Sequence, residues 1–361
     1  MTAEARTAVL DDLEWRRMIA DHTDVEALRD AMAAGPITFY GGFDPTAPSL
    51  HFGNLVLLVT MRRLQLAGHR PIGLVGGATG LVGDPSGRTS ERTLNEPGVV
   101  EGWVERIRSQ VQRYLSFDGD NAAVIVNNLE WTGAMSAIDW LRDVGKHFSV
   151  SRMLAKEAVS VRLEAGGISY TEFSYQVMQA VDFLELYRRY GCTLQLGGSD
   201  QWGNLTAGVD LIGRVEGATA HALATPLITR PDGEKFGKST GSTLWLDPEL
   251  TTPFAFYQWF LNTDDSVVGT YLRVFSFRTR SEIEALEATS ATRPEAREAQ
   301  RALAAEVTEL VHGADAAAAA ARASEALSAR GIWRPSTLPR WRPRSPTCRA
   351  RRCQKSTRCR A

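Results

Sequence analysis

The feature that most constrains this chain is its alternation of short β-rich runs with helical stretches long enough to cross a parallel sheet. Residues 37–43 (ITFYGGF) read as a strand, 53–67 as a helix closed by Gly68, and 71–75 as a second strand. A glycine-rich loop over 76–87, a helix over 99–115 and a strand over 124–128 continue the pattern. Residues 169–190 read as a helix, with Ser169 and Glu172 at the spacing of a capping box. A strand over 193–197 and a helix over 199–212 follow. This order implies βαβ units, an α/β fold with a Rossmann-like parallel sheet, and ligands bound beyond the carboxyl ends of its strands. From Pro253 the pattern is all helical, aromatic-rich over 253–261 and rich in Ala, Glu and Arg over 293–327. The expected organisation is a Rossmann-like nucleotide-binding domain over 1–247 and a smaller all-helical domain over 248–330.

Past Gly331 the periodicity ends. Residues 331–361 carry nine Arg, one Lys and no acid, so the rest of the chain holds a net charge of −11 beneath an overall −1. A tail of that composition cannot bury enough apolar surface to order itself. It reads as a basic RNA-binding tail or as a non-native end such as a frameshift. The abrupt loss of periodicity and of acids favours the second. The acidic body confines any RNA contact to a local patch, and neither DNA nor a membrane is an expected partner. No apolar run approaches the roughly 20 residues that span a bilayer, and the charged N-terminus does not resemble a signal peptide, so a cytoplasmic location is expected. Cys192 stands alone in the body, which excludes a disulfide framework there. The spacings of Cys348, Cys353 and Cys359 match no structural zinc pair.

Four clusters carry possible chemistry. In the first, residues 40–54 (YGGFDPTAPSLHFGN) run from a strand through a loop to a helix start, placing His51 and Asn54 where backbone N–H groups and the helix dipole favour anions. Gly53 lets a ring or phosphate approach the backbone closely. Taken alone, His51 and Asn54 read somewhat better as a plain β–loop–α connection with a capping Asn. In the second, Lys235-Phe236-Gly237-Lys238-Ser239 sits in a polar loop able to close over a polyphosphate, or simply to face solvent. The third is the stripe Tyr175, Gln179 and Asp182, which shares one face of an otherwise apolar helix. Such a stripe needs partners, from a ligand or from water. In the fourth, Gly197-Gly198-Ser199-Asp200-Gln201 offers glycines at a strand end and an acid for ribose hydroxyls, or a helix cap. The glycine-rich segment 76–87 is no Walker loop. It places Asp84 at a strand end, with Arg88 and Arg92 following within reach of phosphates.

Together, in this order, the segments YGGFDPTAPSLHFGN, GGATGLVGDPSGRTSERT, SYTEFSYQVMQAVDF, LGGSDQWGN and KFGKS resemble the bacterial-type class I tyrosyl-tRNA synthetases over about residues 13–327. By that resemblance 51–54 is the HIGH motif, with Asn54 in place of the last His, and 235–239 is the KMSKS motif, with Phe236 for Met. The resemblance implies a tyrosine–tRNA ligase that makes tyrosyl-adenylate from tyrosine and ATP and charges tRNA(Tyr). Tyr40 and Asp182 would bind the phenol hydroxyl, and Tyr175, Gln179 and Asp84 the ammonium group. Asp44, Gly198, Asp200 and Gln201 would lie along the ribose and adenylate, and Gly53 and Ser239 would also contact ATP. Thr46, His51, Asn54, Arg88, Arg92, Lys235 and Lys238 would serve the phosphates. Mg²⁺ would arrive with the nucleotide rather than sit in a protein cage. Tyrosyl-tRNA synthetases are the standard illustration of hydroxyl discrimination, rejecting phenylalanine by roughly 10⁵-fold, a figure that belongs to that enzyme class rather than to this chain. A tryptophan enzyme shares the fold, but Tyr40 paired with Asp182 suits a phenol. A non-catalytic RNA-binding derivative would have no need of His51 and the loop lysines. The resemblance further implies a homodimer through a helical insertion after Leu141. An Arg-rich tail stands where a further RNA-binding domain usually follows, so the expectation is weakened tRNA binding with intact adenylate formation.

Overall fold

The computed structural model describes residues 1–86, 95–164, 166–228 and 243–329. Its sheet has six strands: β1 (Asp21–His22), β2 (Thr38–Phe43), β3 (Arg70–Val75), β4 (Val124–Asn127), β5 (Cys192–Gly198) and β6 (His221–Thr225). They lie in the order β1-β6-β5-β2-β3-β4. All neighbours run parallel except β1, which pairs antiparallel with β6. Strand order therefore reverses between β2 and β5. A crevice at the carboxyl ends of those two strands is where such sheets bind ligands.

The helix Phe52–Leu66 is apolar nearly all round and is buried along its length, from Phe52 and Leu55 to Met61 and Leu64. It stops at Ala67, and Gly68 turns the chain at φ +91°, a left-handed conformation that glycine adopts without strain. The helix Tyr170–Tyr190 starts at Ser169, whose hydroxyl accepts the Glu172 N–H, and ends at left-handed Gly191. The Glu172 carboxylate pairs at 2.8 Å with the buried Arg162 guanidinium, tying this helix to Glu157–Glu164.

Two expectations need correction. Residues 76–87 are not loop throughout, because Thr79–Val82 forms a helical turn. Asn128 Oδ1 accepts the Ala78 N–H at 2.7 Å, and Gly80 N–H reaches the Gly76 carbonyl at 2.7 Å, so a side chain from β4's end starts the turn. The helix expected over 199–212 begins as a 3₁₀ turn, Ser199–Gln201, and continues as Trp202–Glu216 to left-handed Gly217.

After β6 the described chain is helical: Pro253–Leu261, Asp265–Phe275, Arg280–Thr292, Glu298–His312 and Ala314–Ala329. Its apolar faces join one core with the helix Phe52–Leu66 and strand β2, so Phe39, Leu55, Phe256, Phe275 and Leu303 belong to a single buried cluster. Two buried arginines stitch the same seam. Arg16 donates to the carbonyls of Arg273 and Ser276, and Arg63 donates to Ser276 O at 2.5 Å, with Asp12 accepting from both. They satisfy carbonyls at the end of Asp265–Phe275 that the helix itself leaves unpaired. Among the described residues no helix is long and apolar enough to cross a membrane.

Candidate active site

At the crevice between β2 and β5 lies a cleft of about 350 Å³. Every predicted site residue that the structure describes lines it: Tyr40, Asp44, Thr46, His51, Gly53, Asn54, Asp84, Tyr175, Gln179, Asp182, Gly198, Asp200 and Gln201. Arg88, Arg92, Lys235, Lys238 and Ser239 lie outside the described residues. The polar stripe on Tyr170–Tyr190 thus faces this cleft.

The closed end is built from β2 and that helix. Tyr40 is 1% exposed, its ring tilted against Phe183 at 5.4 Å, and its hydroxyl is buried without a hydrogen-bond partner. Asp182 is equally buried. Its Oδ1 accepts from Trp131 Nε1 at 2.7 Å and its Oδ2 from Asn128 Nδ2 at 2.9 Å. Burial pushes the carboxyl up to about 7 against the opposing pull of these two donors. Burial and then the Asp182 charge raise the Tyr40 phenol well above its usual range. A buried hydroxyl left unpaired is costly. A ligand hydroxyl at this point would satisfy Tyr40 and use Asp182's remaining acceptor capacity. Two more buried orphans open on the same cleft, Gln179 Oε1 and Gln195 Oε1.

In the middle the side chains are acidic. Tyr175 OH donates to Asp44 Oδ2 at 2.7 Å, which leaves the phenolic lone pairs free to accept. Asp84 Oδ2 accepts from Gln201 Nε2 at 2.5 Å and Oδ1 from the Ser86 N–H at 3.0 Å. Gln201 in turn accepts from Asn204. Gathered carboxylates and a phenolic acceptor suit a cation such as an ammonium group.

At the open end His51 and Asn54 cap the helix Phe52–Leu66 reciprocally. Asn54 Oδ1 accepts the His51 N–H and His51 Nδ1 accepts the Gly53 N–H, each at 3.0 Å. The anion-site and capping readings are therefore compatible. With Nδ1 committed as acceptor, the imidazole carries its proton on Nε2. Burial lowers its pKa, so it serves as a neutral donor. Asn54's carbonyl is likewise committed and its NH₂ remains to donate. Asn54→Ala is expected to cost about 1 kcal/mol of stability, read as a lower urea midpoint at unchanged slope.

Sequence reasoning missed Thr79, Asn128, Trp131 and Gln195. Gln195 carried a signal, being a polar residue inside the apolar run of β5 (CTLQLGG). Asn128 and Trp131 reach Asp182 across a sequence gap of more than fifty residues and carried none.

Comparison with known proteins agrees with the fold. Residues 32–329 match the model of the tRNA synthetases class I (W and Y). The chain is 65% identical over 284 residues to the tyrosine–tRNA ligase of Acidothermus cellulolyticus and 64% over 282 residues to that of Streptomyces coelicolor. Each match covers 78% of this chain and 67% of the relative. Among solved structures, a C-terminally truncated mitochondrial tyrosyl-tRNA synthetase from Aspergillus nidulans superposes with TM-score 0.81 at 30% identity, covering 88% of this chain and 94% of that one. With its sheet, cleft and sequence in agreement, the chain belongs to the class I tRNA synthetases of the tryptophan and tyrosine group.

Proposed function

We propose that the chain is a tyrosine–tRNA ligase whose cleft holds tyrosine with its phenol at Tyr40 and Asp182 and ATP toward His51 and Asn54. The observation that carries the reading is the unpartnered Tyr40 hydroxyl beside buried Asp182 at the closed end. A tyrosine hydroxyl pairs with both, whereas an indole nitrogen only donates and leaves Tyr40 without an acceptor for its own proton. Relatives at 60–65% identity named as tyrosine–tRNA ligases support it.

In the first step the tyrosine carboxylate attacks the α-phosphorus, the bond to the β-phosphate oxygen breaks, and pyrophosphate leaves. In the second, a ribose hydroxyl at the 3′ end of tRNA(Tyr) attacks the acyl carbon and AMP leaves. The carboxylate is already a nucleophile, so the first step needs no base, and rate rests on alignment and on stabilising the departing charge. Tyr175, Gln179 and Asp84 hold the ammonium group. Asp44, Gly198, Asp200 and Gln201 lie along ribose and adenylate. Neutral His51 donates from Nε2 to phosphate oxygen, beside Thr46 and the Asn54 amide. Arg88, Arg92, Lys235, Lys238 and Ser239 enter through the family motifs alone. Mg²⁺ belongs to the proposal as a companion of the nucleotide. Among the described residues no group of three or more His, Cys, Asp or Glu could hold a metal.

The helical region 248–330 is assigned to the anticodon side of the tRNA, and a homodimer completes the reading. Exposed Ile138, Leu141 and Val150, at 67, 59 and 61% of full exposure, support a partner surface there.

ATP–pyrophosphate exchange tests the central claim. Exchange is expected with tyrosine and at background with tryptophan. Equal exchange with both, or none with tyrosine, would remove the assignment.

A further inference from the structure

The closed end of the cleft and its acidic middle are joined by one chain of hydrogen bonds. At one end Tyr175 OH donates to Asp44 Oδ2, and Thr79 Oγ1 donates to Asp44 Oδ1 at 2.6 Å. At the other, Asn128 Nδ2 donates at 3.0 Å to Thr79 Oγ1 and at 2.9 Å to Asp182 Oδ2. The polarity of this chain is fixed by chemistry. A carboxylate only accepts, so Thr79's single proton goes to Asp44. Asn128 Oδ1 is occupied by the Ala78 N–H, so both amide hydrogens point as described. Thr79 is 2% exposed and Asn128 fully buried. The backbone closes on the junction as well: a Cβ at Gly76 would lie 2.0 Å from Asp44 Oδ1 and 2.3 Å from Thr79 Oγ1.

We propose that Thr79 is a positioning residue for tyrosine activation, coupling recognition of the phenol at Asp182 to the alignment of Asp44 and Tyr175 in the acidic middle of the cleft. The proposal rests on the reading of tyrosine as substrate. Hydrogen bonds in a dry interior polarise one another, so drawing Asp182 toward a bound phenol shifts Asn128, and Thr79 passes the shift to Asp44. The field of Asp44 already reaches Asp182, where it adds to the upward push on the carboxyl. A substrate without the hydroxyl leaves the chain unengaged, and Thr79 then contributes less.

The test is a cycle between enzyme and substrate. kcat/KM in ATP–pyrophosphate exchange is measured with tyrosine and with phenylalanine for the wild type, Thr79→Val and Thr79→Ser. Thr79→Val keeps the shape and removes both bonds. It is expected to lower the tyrosine value about 30-fold and the phenylalanine value about threefold, so discrimination narrows roughly tenfold, while Thr79→Ser stays within about threefold of wild type. Equal losses for both substrates reduce Thr79 to a structural role and overturn the coupling, as does no loss at all. If Thr79→Val does not fold, Thr79→Ala removes the same bonds without the branched methyl and is judged by the same ratio. The wild-type arm separates the two claims. A wild type that does not prefer tyrosine defeats the substrate reading and the coupling with it, whereas a selective wild type with equal losses in the variant defeats the coupling alone.

Discussion

Asp182→Ala is expected to lower tyrosine-dependent kcat/KM in pyrophosphate exchange by roughly 1,000-fold, with the fold retained. Removing the carboxylate takes away the acceptor for the substrate hydroxyl and strands two buried donors, Asn128 Nδ2 and Trp131 Nε1. A site built to bond a hydroxyl owes its selectivity to polar groups that the wrong substrate leaves unpaired, so losing the carboxylate removes most of that penalty. Discrimination against phenylalanine should therefore collapse along with the rate. A loss below about tenfold would mean that the phenol is recognised elsewhere. The same carboxyl sets a pH dependence of opposite sign for activity and stability. Its pKa stands at about 7 against an ordinary 3.8. Binding of the phenol as donor requires the ionised form, so kcat/KM for tyrosine should fall as pH drops through 7. Between 3.8 and 7 the folded state binds the extra proton, so this group's contribution to stability grows as pH falls and is absent above 7. At neutral pH the burial costs on the order of 4 kcal/mol, which the site sustains for the sake of recognition. Parallel pH series of exchange rate and urea midpoint check both signs. A flat activity profile from pH 6 to 8 would remove Asp182 ionisation from the mechanism.

How much of this was legible beforehand follows from the range of the forces involved. The strand–helix alternation gave β2 to β5 to within a few residues, because each element writes its own period and its own stop, as Gly68 and Gly191 show, whereas β6 and the two-residue β1 went unread. The stripe Tyr175, Gln179 and Asp182 was legible for the same reason, since helical spacing alone puts three polar groups on one side. Which side it was could not be read, because the cleft comes from β2 and β5, distant in sequence. Asn128 and Trp131 were invisible for that reason too. Each reads locally as an ordinary strand-end or helix residue, and its importance appears only when β4 lies beside β3 and brings it to Asp182. The helical turn at Thr79–Val82 escaped because glycine content speaks for loop, while a distant amide starts the turn.

The position between His51 and Gly53 carries the second large effect. Phe52 is 1% exposed and touches four rings of the helical region: Trp259 at 5.2 Å, Phe260 at 5.3 Å, Tyr271 at 5.9 Å and Phe275 at 4.7 Å between centroids. Phe52→Ala is expected to cost about 4 kcal/mol of stability, because the lost contacts and the cavity add, and a ring cluster held from two helices closes poorly over a gap. The functional consequence follows from where the ring sits. His51 and Asn54 hold each other through the first turn of the same helix. Strand-like pairing of His51 with Trp245, and the bond from Phe52 N–H to Leu244 O at 2.8 Å, fix that turn from outside. Loosening Phe52 lets the turn shift relative to the cleft, and misplacement of a phosphate donor by a fraction of an ångström is enough to slow a reaction that depends on alignment. At a temperature where the variant is fully folded, kcat for exchange should fall about tenfold while the dissociation constant for tyrosine is unchanged, since Tyr40 and Asp182 lie at the other end of the cleft. Phe52→Leu, which fills most of the volume, should recover the larger part of both losses. A variant that loses the stability but keeps kcat would show that the helical region braces the core without setting the phosphate end of the site.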